Sequence, residues 1–224
     1  HRGGGMLFKP DGTFWLTIGD QWRYETAQEL TNTLEGKTLR LALDITENGD
    51  GTWSCPAGSH QPIRAFGRPD PVNPSQILGE ADEVSGLLYC IPDDNPWPSP
   101  GGSTFEEPAT LGHRNPHRLS MDSATGRLWS GEVGENTREE INVLEMGRNY
   151  GCPFREGTSA GPKPPPADYI GLLTDPVIDF DRADANAIIG GYVYHGTRFP
   201  ELEGRYIAGD YGSAKIWAIT LDEA

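Results

Sequence analysis

Apolar and polar residues alternate in several stretches of the chain, and some of these stretches match one another. GRLWSGE (126–132) and GRYIAGD (204–210) match position for position, and GTFWLTIGD (12–20) is a longer version of the same pattern. Each begins at a turn glycine, continues through a centre of aromatic or aliphatic residues, and ends on a glycine and an acid. The pattern predicts three copies of one strand.

A second strand is expected after each copy. KTLRLALD (37–44) and KIWAITLD (215–222) carry apolar side chains at alternate positions and close on Leu-Asp, and INVLEM (141–146) follows the middle copy. Alternation with a period of two is typical of a strand that packs on one face. A unit of strand, acidic loop and strand is therefore expected three times, with loops inserted between the units.

Repeated antiparallel units joined by turns and variable loops are typical of β-propeller blades. We expect an all-β fold in which this chain supplies about four blades, because a blade takes roughly 40–50 residues. Two separate sandwiches are the alternative. Residues 1–224 are expected to form a single propeller domain that is incomplete. Residues 47–108 and 157–168 are expected to be inserted loops, since the first is rich in Pro, Gly, Asp and Ser and the second contains PKPPP.

Composition narrows the class of protein. The 224 residues include 29 glycines and 19 prolines, more than a helical protein tolerates, and the formal net charge is −15. Such a charge argues against nucleic acid and anionic membranes as partners. It suits a periplasmic or secreted protein and is compatible with calcium. No stretch reaches the roughly 18 apolar residues of a membrane-spanning helix.

The cysteines and histidines form no recognisable metal motif. Cys55 and Cys90 bracket an irregular segment and could pair, leaving Cys152 over; three reduced thiols are the alternative. DITENGDG (44–51) is read as a hairpin turn rather than a calcium loop, because Cys55 stands where the closing glutamate would be. The remaining histidines are expected in loops or at strand ends: His60, His113, His117 and His195.

Several segments together indicate a family. HRGGGMLFKPDGTFWLTIGDQ (1–21) resembles the H-x-G-G-x-L-x-x-x-P-D-G…T-x-G-D signature of the quinoprotein glucose/sorbosone dehydrogenases. The other segments that resemble this family follow in the same order: GKTLRL (36–41), IPDDNP (91–96), LGHRNPHRLSMD (111–122), EEINVLEMGRNYGCP (139–153) and IIGGYVYHG (188–196).

The resemblance implies a six-bladed β-propeller that uses pyrroloquinoline quinone (PQQ) and calcium to oxidise the anomeric hydroxyl of an aldose sugar to a lactone. It also implies a cytochrome or another electron acceptor as a partner, and a periplasmic or secreted location. The family pattern starts before His1 and continues past Ala224, so the first and last blades are expected to lie outside this chain.

The resemblance places the catalytic base on His1. Histidine suits this role because its neutral form accepts a proton near pH 7. Asp20 ends the strand that returns toward His1, so its carboxylate is expected to orient the imidazole. Gly3 and Gly4 are expected to let the backbone approach a flat cofactor. The alternative is that HRGGG is a cloning remnant before a start at Met6.

The resemblance assigns quinone contacts to Arg114 and Asn115. The arginine would stabilise negative charge on the quinone oxygens, so it is also counted among the catalytic residues. Its planar guanidinium suits a flat, oxygen-rich ligand. The alternative is an ordinary surface Arg-Asn pair before a turn proline.

The resemblance also implies calcium ligands in GEVGENTREEIN (131–142). Main-chain carbonyls of a glycine loop can supply oxygen ligands to calcium, and the matching positions are Gly134 and Glu135. Glu140 and Tyr150 match positions that some members use around further calcium sites. For Glu139 and Glu140, a solvated acidic turn is the alternative.

The chain departs from the family pattern at three places. Gly212 stands where soluble members carry a cofactor-binding lysine, Cys152 stands where many have tryptophan, and residues 47–89 form a long insertion. The missing lysine and the short chain favour a rival hypothesis, a non-catalytic binding propeller related to Hedgehog-interacting proteins, whereas His1 and the HRNP segment (113–116) favour the enzyme. A redox-inert scaffold within a larger assembly is a third possibility.

Overall fold

The computed structural model describes residues 1–50, 52–62 and 89–220, and between residues 62 and 89 it gives only two short strands. Residues 51, 63–67, 70–76 and 79–88 of the expected insertion, and the last two residues of segment 215–222, lie outside the described residues. The strands are β1 (Gly3–Phe8), β2 (Thr13–Ile18), β3 (Lys37–Ala42), β4 (Thr46–Glu47), β5 (Trp53–Ser54), β6 (Ser59–His60), β7 (Arg68–Pro69), β8 (Ile77–Leu78), β9 (Ile91–Pro92), β10 (Pro108–Leu111), β11 (Pro116–Met121), β12 (Leu128–Glu132), β13 (Arg138–Leu144), β14 (Arg148–Asn149), β15 (Arg155–Glu156), β16 (Ser159–Ala160), β17 (Leu172–Leu173), β18 (Ile178–Asp181), β19 (Ile188–Val193), β20 (Tyr206–Asp210) and β21 (Ile216–Ile219).

Helical structure in the described part of the chain is confined to two 3₁₀ turns, Tyr24–Gln28 and Pro200–Leu202. Neither is long and apolar enough to cross a membrane. The fold is therefore all-β, as the alternating pattern predicts.

Three antiparallel units repeat along the chain: β1-β2-β3, β11-β12-β13 and β19-β20-β21. The matching segments form the middle strands β2, β12 and β20, and each is followed by its predicted partner strand. The prediction of strand, loop and strand is confirmed. A fourth strand extends two of the sheets, β10 beside β3 and β18 beside β13.

The three units pack through their first strands, with β1 against β11 and β11 against β19. Glycine makes these approaches possible. A Cβ atom on Gly5 would lie 2.7 Å from the Leu119 nitrogen, and one on Gly131 would overlap the backbone of Gly190. The sheets therefore meet along one side, as blades do. The number of blades and the closure of a ring stay predictions.

Two apolar clusters fill the spaces between the sheets. The cluster between the second and third units includes Trp129 and Tyr206, whose rings stack at 4.5 Å. The cluster between the first and second units contains Trp15, Ala109, Leu119, Leu128, Leu144 and Tyr150. Truncating a buried aromatic of this size to alanine typically costs about 3–5 kcal/mol, so these clusters hold the sheets together.

The inserted region is shorter than expected at its C-terminal end. Pro108 is the first residue of β10, where proline is tolerated, and β10 pairs antiparallel with β3, so Pro108 belongs to the first sheet rather than to a loop. Thr46 and Glu47 of the segment 44–51 form β4 of the β4-β5 hairpin, as predicted. Cys55 and Cys90 form a disulfide, and Cys152 is free and buried, which confirms the proposed pairing.

Candidate active site

Three distant segments meet at the end of β2. The Asp20 N–H donates to the Arg114 carbonyl at 2.8 Å, and the Gln21 N–H donates to the His1 carbonyl at 3.2 Å. Gly19 lies between them, where a Cβ atom would come within 2.6 Å of the His1 oxygen and 2.9 Å of the Arg114 oxygen. Only glycine allows this approach, which brings the backbones of His1, Asp20 and Arg114 together.

His1 and Asp20 form a close pair. Nδ1 of His1 lies 2.6 Å from Oδ1 of Asp20, and the same oxygen accepts the Trp22 N–H at 2.9 Å. Burial raises the pKa of Asp20 to about 6, against the lowering effects of the Trp22 N–H and the Arg114 charge. When ionised, Asp20 accepts a hydrogen bond from the protonated Nδ1 of His1, and this tautomer leaves Nε2 as a hydrogen-bond acceptor. The orienting contact expected from the sequence is present.

The residues that follow Asp20 adopt an unusual backbone conformation. Gln21 and Trp22 have φ angles of +54° and +64°. For residues other than glycine, each such conformation costs on the order of 1–3 kcal/mol and is concentrated at functional sites. The Trp22 ring stacks on the His1 ring with centroids 4.5 Å apart. The sequence gives no signal for this geometry.

Of the two glycines after His1 that were expected to face a cofactor, only Gly3 makes a close approach within the hairpin. A Cβ on Gly3 would lie 2.6 Å from the Thr17 carbonyl, whereas one on Gly4 would meet open space. The close approach at Gly3 is therefore to β2. The Gly3 N–H also donates to Oδ1 of Asn115 at 3.2 Å, so this amide oxygen ties β1 to the segment before β11.

Arg114 is largely buried, with 14% of its side chain exposed, so it is not the surface arginine of the alternative interpretation. Its Nη1 donates to the carbonyls of Val133 at 3.0 Å and Gly134 at 2.6 Å. Its Nε is buried and has no hydrogen-bond partner among the described residues, although Glu135 Oε2 lies 3.9 Å away. The Nε–H of Arg114 is thus a buried donor without a hydrogen-bond acceptor among the described residues.

The loop that receives Arg114 is shaped by Glu156. Oε1 of Glu156 accepts four consecutive backbone N–H groups, those of Glu135 (2.5 Å), Asn136 (2.7 Å), Thr137 (2.9 Å) and Arg138 (3.2 Å). Burial works to raise the pKa of Glu156, but these hydrogen bonds outweigh it and the pKa is lowered. Gly134 is required here because a Cβ atom would overlap the Arg138 carbonyl. No sequence signal identifies Glu156.

Three of the expected calcium residues line one narrow cavity beside Arg114, namely Gly134, Glu135 and Glu140. The Gly134 carbonyl already accepts a hydrogen bond from the guanidinium, and Glu135 accepts one from the Tyr24 hydroxyl at 2.5 Å. Because the positively charged guanidinium of Arg114 donates to the Gly134 carbonyl oxygen, a divalent cation does not fit at the same oxygen. Within the described ranges, no cluster of three or more His, Cys, Asp or Glu side chains could hold a metal.

Tyr150 lies apart from these residues. Its hydroxyl donates to the Val143 carbonyl at 2.6 Å and accepts the Glu145 N–H at 3.1 Å, near the end of β13 that is remote from Glu140. Its ring stacks on His113. The structure therefore does not bring the Tyr150 hydroxyl to the other expected ligands.

Glu139 and Glu140 are both buried in β13, so the alternative interpretation of these residues as a solvated acidic turn is wrong. Glu139 accepts the Ile188 N–H at 2.7 Å and pairs with Arg182. Burial raises the pKa of Glu140 to about 8, and the charge of Glu132 adds to this effect. These carboxylates face neighbouring elements of the fold rather than solvent.

His113 lies in the loop that follows β10, as expected, and it is fully buried there. Its Nδ1 lies 2.8 Å from Glu132 Oε2, and its Nε2 lies 2.8 Å from the Thr110 hydroxyl. The other Glu132 oxygen accepts the Arg114 N–H. Glu132 thus links His113 to Arg114, a role that the sequence analysis missed.

The sheets and this cluster define an all-β protein in which a histidine–aspartate pair lies beside a buried arginine. Residues 89–224 match the family described as glucose/sorbosone dehydrogenase. Because the match extends over more than half of the sequence, the chain belongs to this family.

Similar proteins extend the comparison over nearly the whole chain. HIPL2 protein from Arabidopsis thaliana is 28% identical over 97% of this chain and 29% of its own length. Aldose sugar dehydrogenase YliI from Escherichia coli K12 is 26% identical over 93% of this chain and 44% of its own length. The PQQ-bound form of aldose sugar dehydrogenase from Streptomyces coelicolor shares the fold with a TM-score of 0.58 and 24% identity, covering 100% of this chain and 46% of that one. The chain spans less than half the length of each of these three proteins.

Proposed function

We propose that this chain carries part of the active site of a PQQ-dependent dehydrogenase that oxidises an aldose sugar at its anomeric carbon. The observation that supports this most directly is the His1–Asp20 pair at 2.6 Å beside Arg114, in a chain of the glucose/sorbosone dehydrogenase family. The complete fold would be a six-bladed propeller.

In this proposal His1 is the base. Its Nε2 takes the proton of the anomeric hydroxyl, and Asp20 holds Nδ1 and stabilises the positive charge that the imidazole gains. Because Asp20 is buried, the attraction between the two charged groups is less screened than in water. Proton transfer from a hydroxyl to a positioned histidine typically increases a reaction rate by about 10²–10⁴-fold.

The residues beside His1 suit a planar ligand rich in oxygen atoms. The buried Nε of Arg114 lacks a hydrogen-bond partner among the described residues and fits such an acceptor. When bound, PQQ would supply the two-electron oxidant that accepts hydride from the sugar carbon. Arg114 would bind the oxygens of PQQ. Asn115 would hold the segment that carries Arg114 beside β1, because its side-chain oxygen accepts a hydrogen bond from the Gly3 N–H. Calcium has no role in this proposal, because the Gly134 carbonyl that would bind it already accepts a hydrogen bond from Arg114.

The location and partners are also proposals. The Cys55–Cys90 disulfide and the net charge of −15 support a periplasmic or secreted protein. Electrons would leave the reduced cofactor to a cytochrome or another acceptor.

A second candidate is a non-catalytic binding propeller. It is favoured by the guanidinium of Arg114, which is engaged by the carbonyls of Val133 and Gly134, and by the absence of a lysine at Gly212. Gly212 packs against Asn186, where a Cβ would come within 2.6 Å of the Asn186 Cβ, so a larger residue would require rearrangement.

One assay separates the two candidates. Purified protein is incubated with PQQ, with and without CaCl₂, and dye reduction is followed with a panel of aldoses. We expect reduction by the unaltered protein, loss of turnover in His1→Ala with PQQ binding retained, and no change in His117→Ala, an exposed histidine on β11. Absence of both PQQ binding and dye reduction would exclude the enzyme, and full turnover in His1→Ala would show that another group is the base.

A further inference from the structure

Trp22 is exposed in a way that packing does not explain. The residue is 64% exposed, although tryptophan is among the residues that gain most from burial. One face of the ring lies on His1, with an interplanar angle of 28°. The remaining surface of the indole is presented to solvent directly beside the proposed base.

The backbone holds Trp22 in this position. Three hydrogen bonds fix the turn: Gln21 N–H to the His1 carbonyl at 3.2 Å, Trp22 N–H to Asp20 Oδ1 at 2.9 Å, and Arg23 N–H to the Asp20 carbonyl at 2.8 Å. Glycine would adopt the φ of +64° without strain, yet the position carries the largest side chain. Strain of this kind, maintained by surrounding bonds, points to a functional constraint.

Polar groups lie near Trp22 in the same turn. Gln21 directly precedes it, and Nη1 of Arg2, the neighbour of His1, donates to Oε1 of Gln21 at 2.5 Å. A pyranose ring offers C–H groups on its faces and hydroxyls around its edge. An aromatic face flanked by fixed hydrogen-bonding groups matches both.

We propose that Trp22, with Arg2 and Gln21, forms a pyranose-binding subsite that stacks on the sugar ring and holds it at His1. This inference rests on the proposed function for the identity of the ligand as a sugar. It does not require the protein to oxidise that sugar.

The test measures binding without turnover. Methyl β-D-glucopyranoside has no free anomeric hydroxyl, so its affinity can be measured by titration calorimetry whether or not the protein is active. We expect Trp22→Gly to weaken binding about tenfold or more, Trp22→Phe to retain part of the affinity, and Tyr211→Ala to bind as the unaltered protein does. Tyr211 is the matched control because it is an aromatic residue with 84% exposure in the turn after β20.

Thermal unfolding separates this role from a structural one. Trp22→Gly relieves the backbone strain, so its midpoint of unfolding should equal or exceed that of the unaltered protein. Unchanged affinity in Trp22→Gly, or no binding of the glycoside by the unaltered protein, would overturn the inference. Glycoside binding that depends on Trp22, without oxidation of any aldose, would support the subsite and reject the proposed enzyme. Oxidation with an unchanged KM in Trp22→Gly would reject only the subsite.

Discussion

His1 and Asp20, 19 residues apart in the chain, lie in contact because the β1-β2 hairpin returns the end of one strand to the start of the other. The carboxylate is fully buried, whereas the imidazole keeps some exposure to solvent. The imidazole thus keeps a narrow contact with solvent, at 10% exposure of its side chain, while the residue that orients it is protected from water.

Asp20→Asn should reduce kcat/KM for aldose oxidation by at least about a hundredfold, because the amide cannot stabilise an imidazolium. Since burial raises the pKa of Asp20 to about 6, activity of the unaltered protein should fall as the pH drops through that value and the carboxylate takes up a proton. A pH series of initial rates measures both effects. Asp168→Asn, at an exposed loop position, is the control. Equal rates in Asp20→Asn and the unaltered protein would remove Asp20 from the mechanism.

The parts of the site that the sequence could predict are local or carried by the family resemblance. Alternation and turn glycines fix the hairpin, and the hairpin places Asp20 near His1. The four N–H groups held by Glu156 could not be predicted, because that contact depends on how the β15-β16 hairpin packs beside the loop after β12. Burial of His113 is equally a property of the packed sheets, since neither Thr110 nor Glu132 forms a recognisable motif with it.

Glu156→Gln should destabilise the fold by about 1–3 kcal/mol at pH 7, because a neutral amide oxygen accepts the four N–H groups less strongly than a carboxylate does. The pKa of Glu156 is lowered from its ordinary value of 4.5. Its contribution is therefore present above that value and is lost as pH falls through the folded-state pKa. Denaturant unfolding at several pH values should show the two proteins converging in acid. Glu201→Gln, at an exposed site, should match the unaltered protein throughout, and a constant difference at every pH would contradict this account.

Glu140→Gln should have the opposite effect. Because burial raises the pKa of Glu140 to about 8, ionising it costs stability, so the unaltered protein should lose stability as pH rises from about 4.5 to about 8. The glutamine variant should lack that loss and be more stable by about 1–3 kcal/mol above pH 8. Its amide could also donate to the buried Asn142 Oδ1, which has no partner among the described residues.

The neighbouring Glu139 provides the matched comparison for this experiment. Burial raises the pKa of Glu139 as well, but its ion pair with Arg182 offsets part of that cost, and Glu139→Gln leaves the guanidinium without its partner; this variant should therefore gain less stability at pH 8 than Glu140→Gln. Thermal unfolding of both variants across pH 5–9 tests the contrast. Destabilisation of Glu140→Gln at high pH would show that the ionised carboxylate is stabilised by contacts, not penalised by burial.

The Cys55–Cys90 disulfide should stabilise the fold by restricting the unfolded chain, since it joins residues 35 positions apart. A loop of this length corresponds to about 2–4 kcal/mol in the chain-entropy account. Cys55→Ala/Cys90→Ala should unfold at lower denaturant concentration than the oxidised protein, and reduction should bring the unaltered protein close to this variant. Cys152→Ala keeps the disulfide, so its unfolding should still depend on reductant. Alkylation of the denatured, unreduced protein should label one thiol, because Cys152 alone is free; labelling of three thiols would contradict the pairing and withdraw its support for an oxidising compartment.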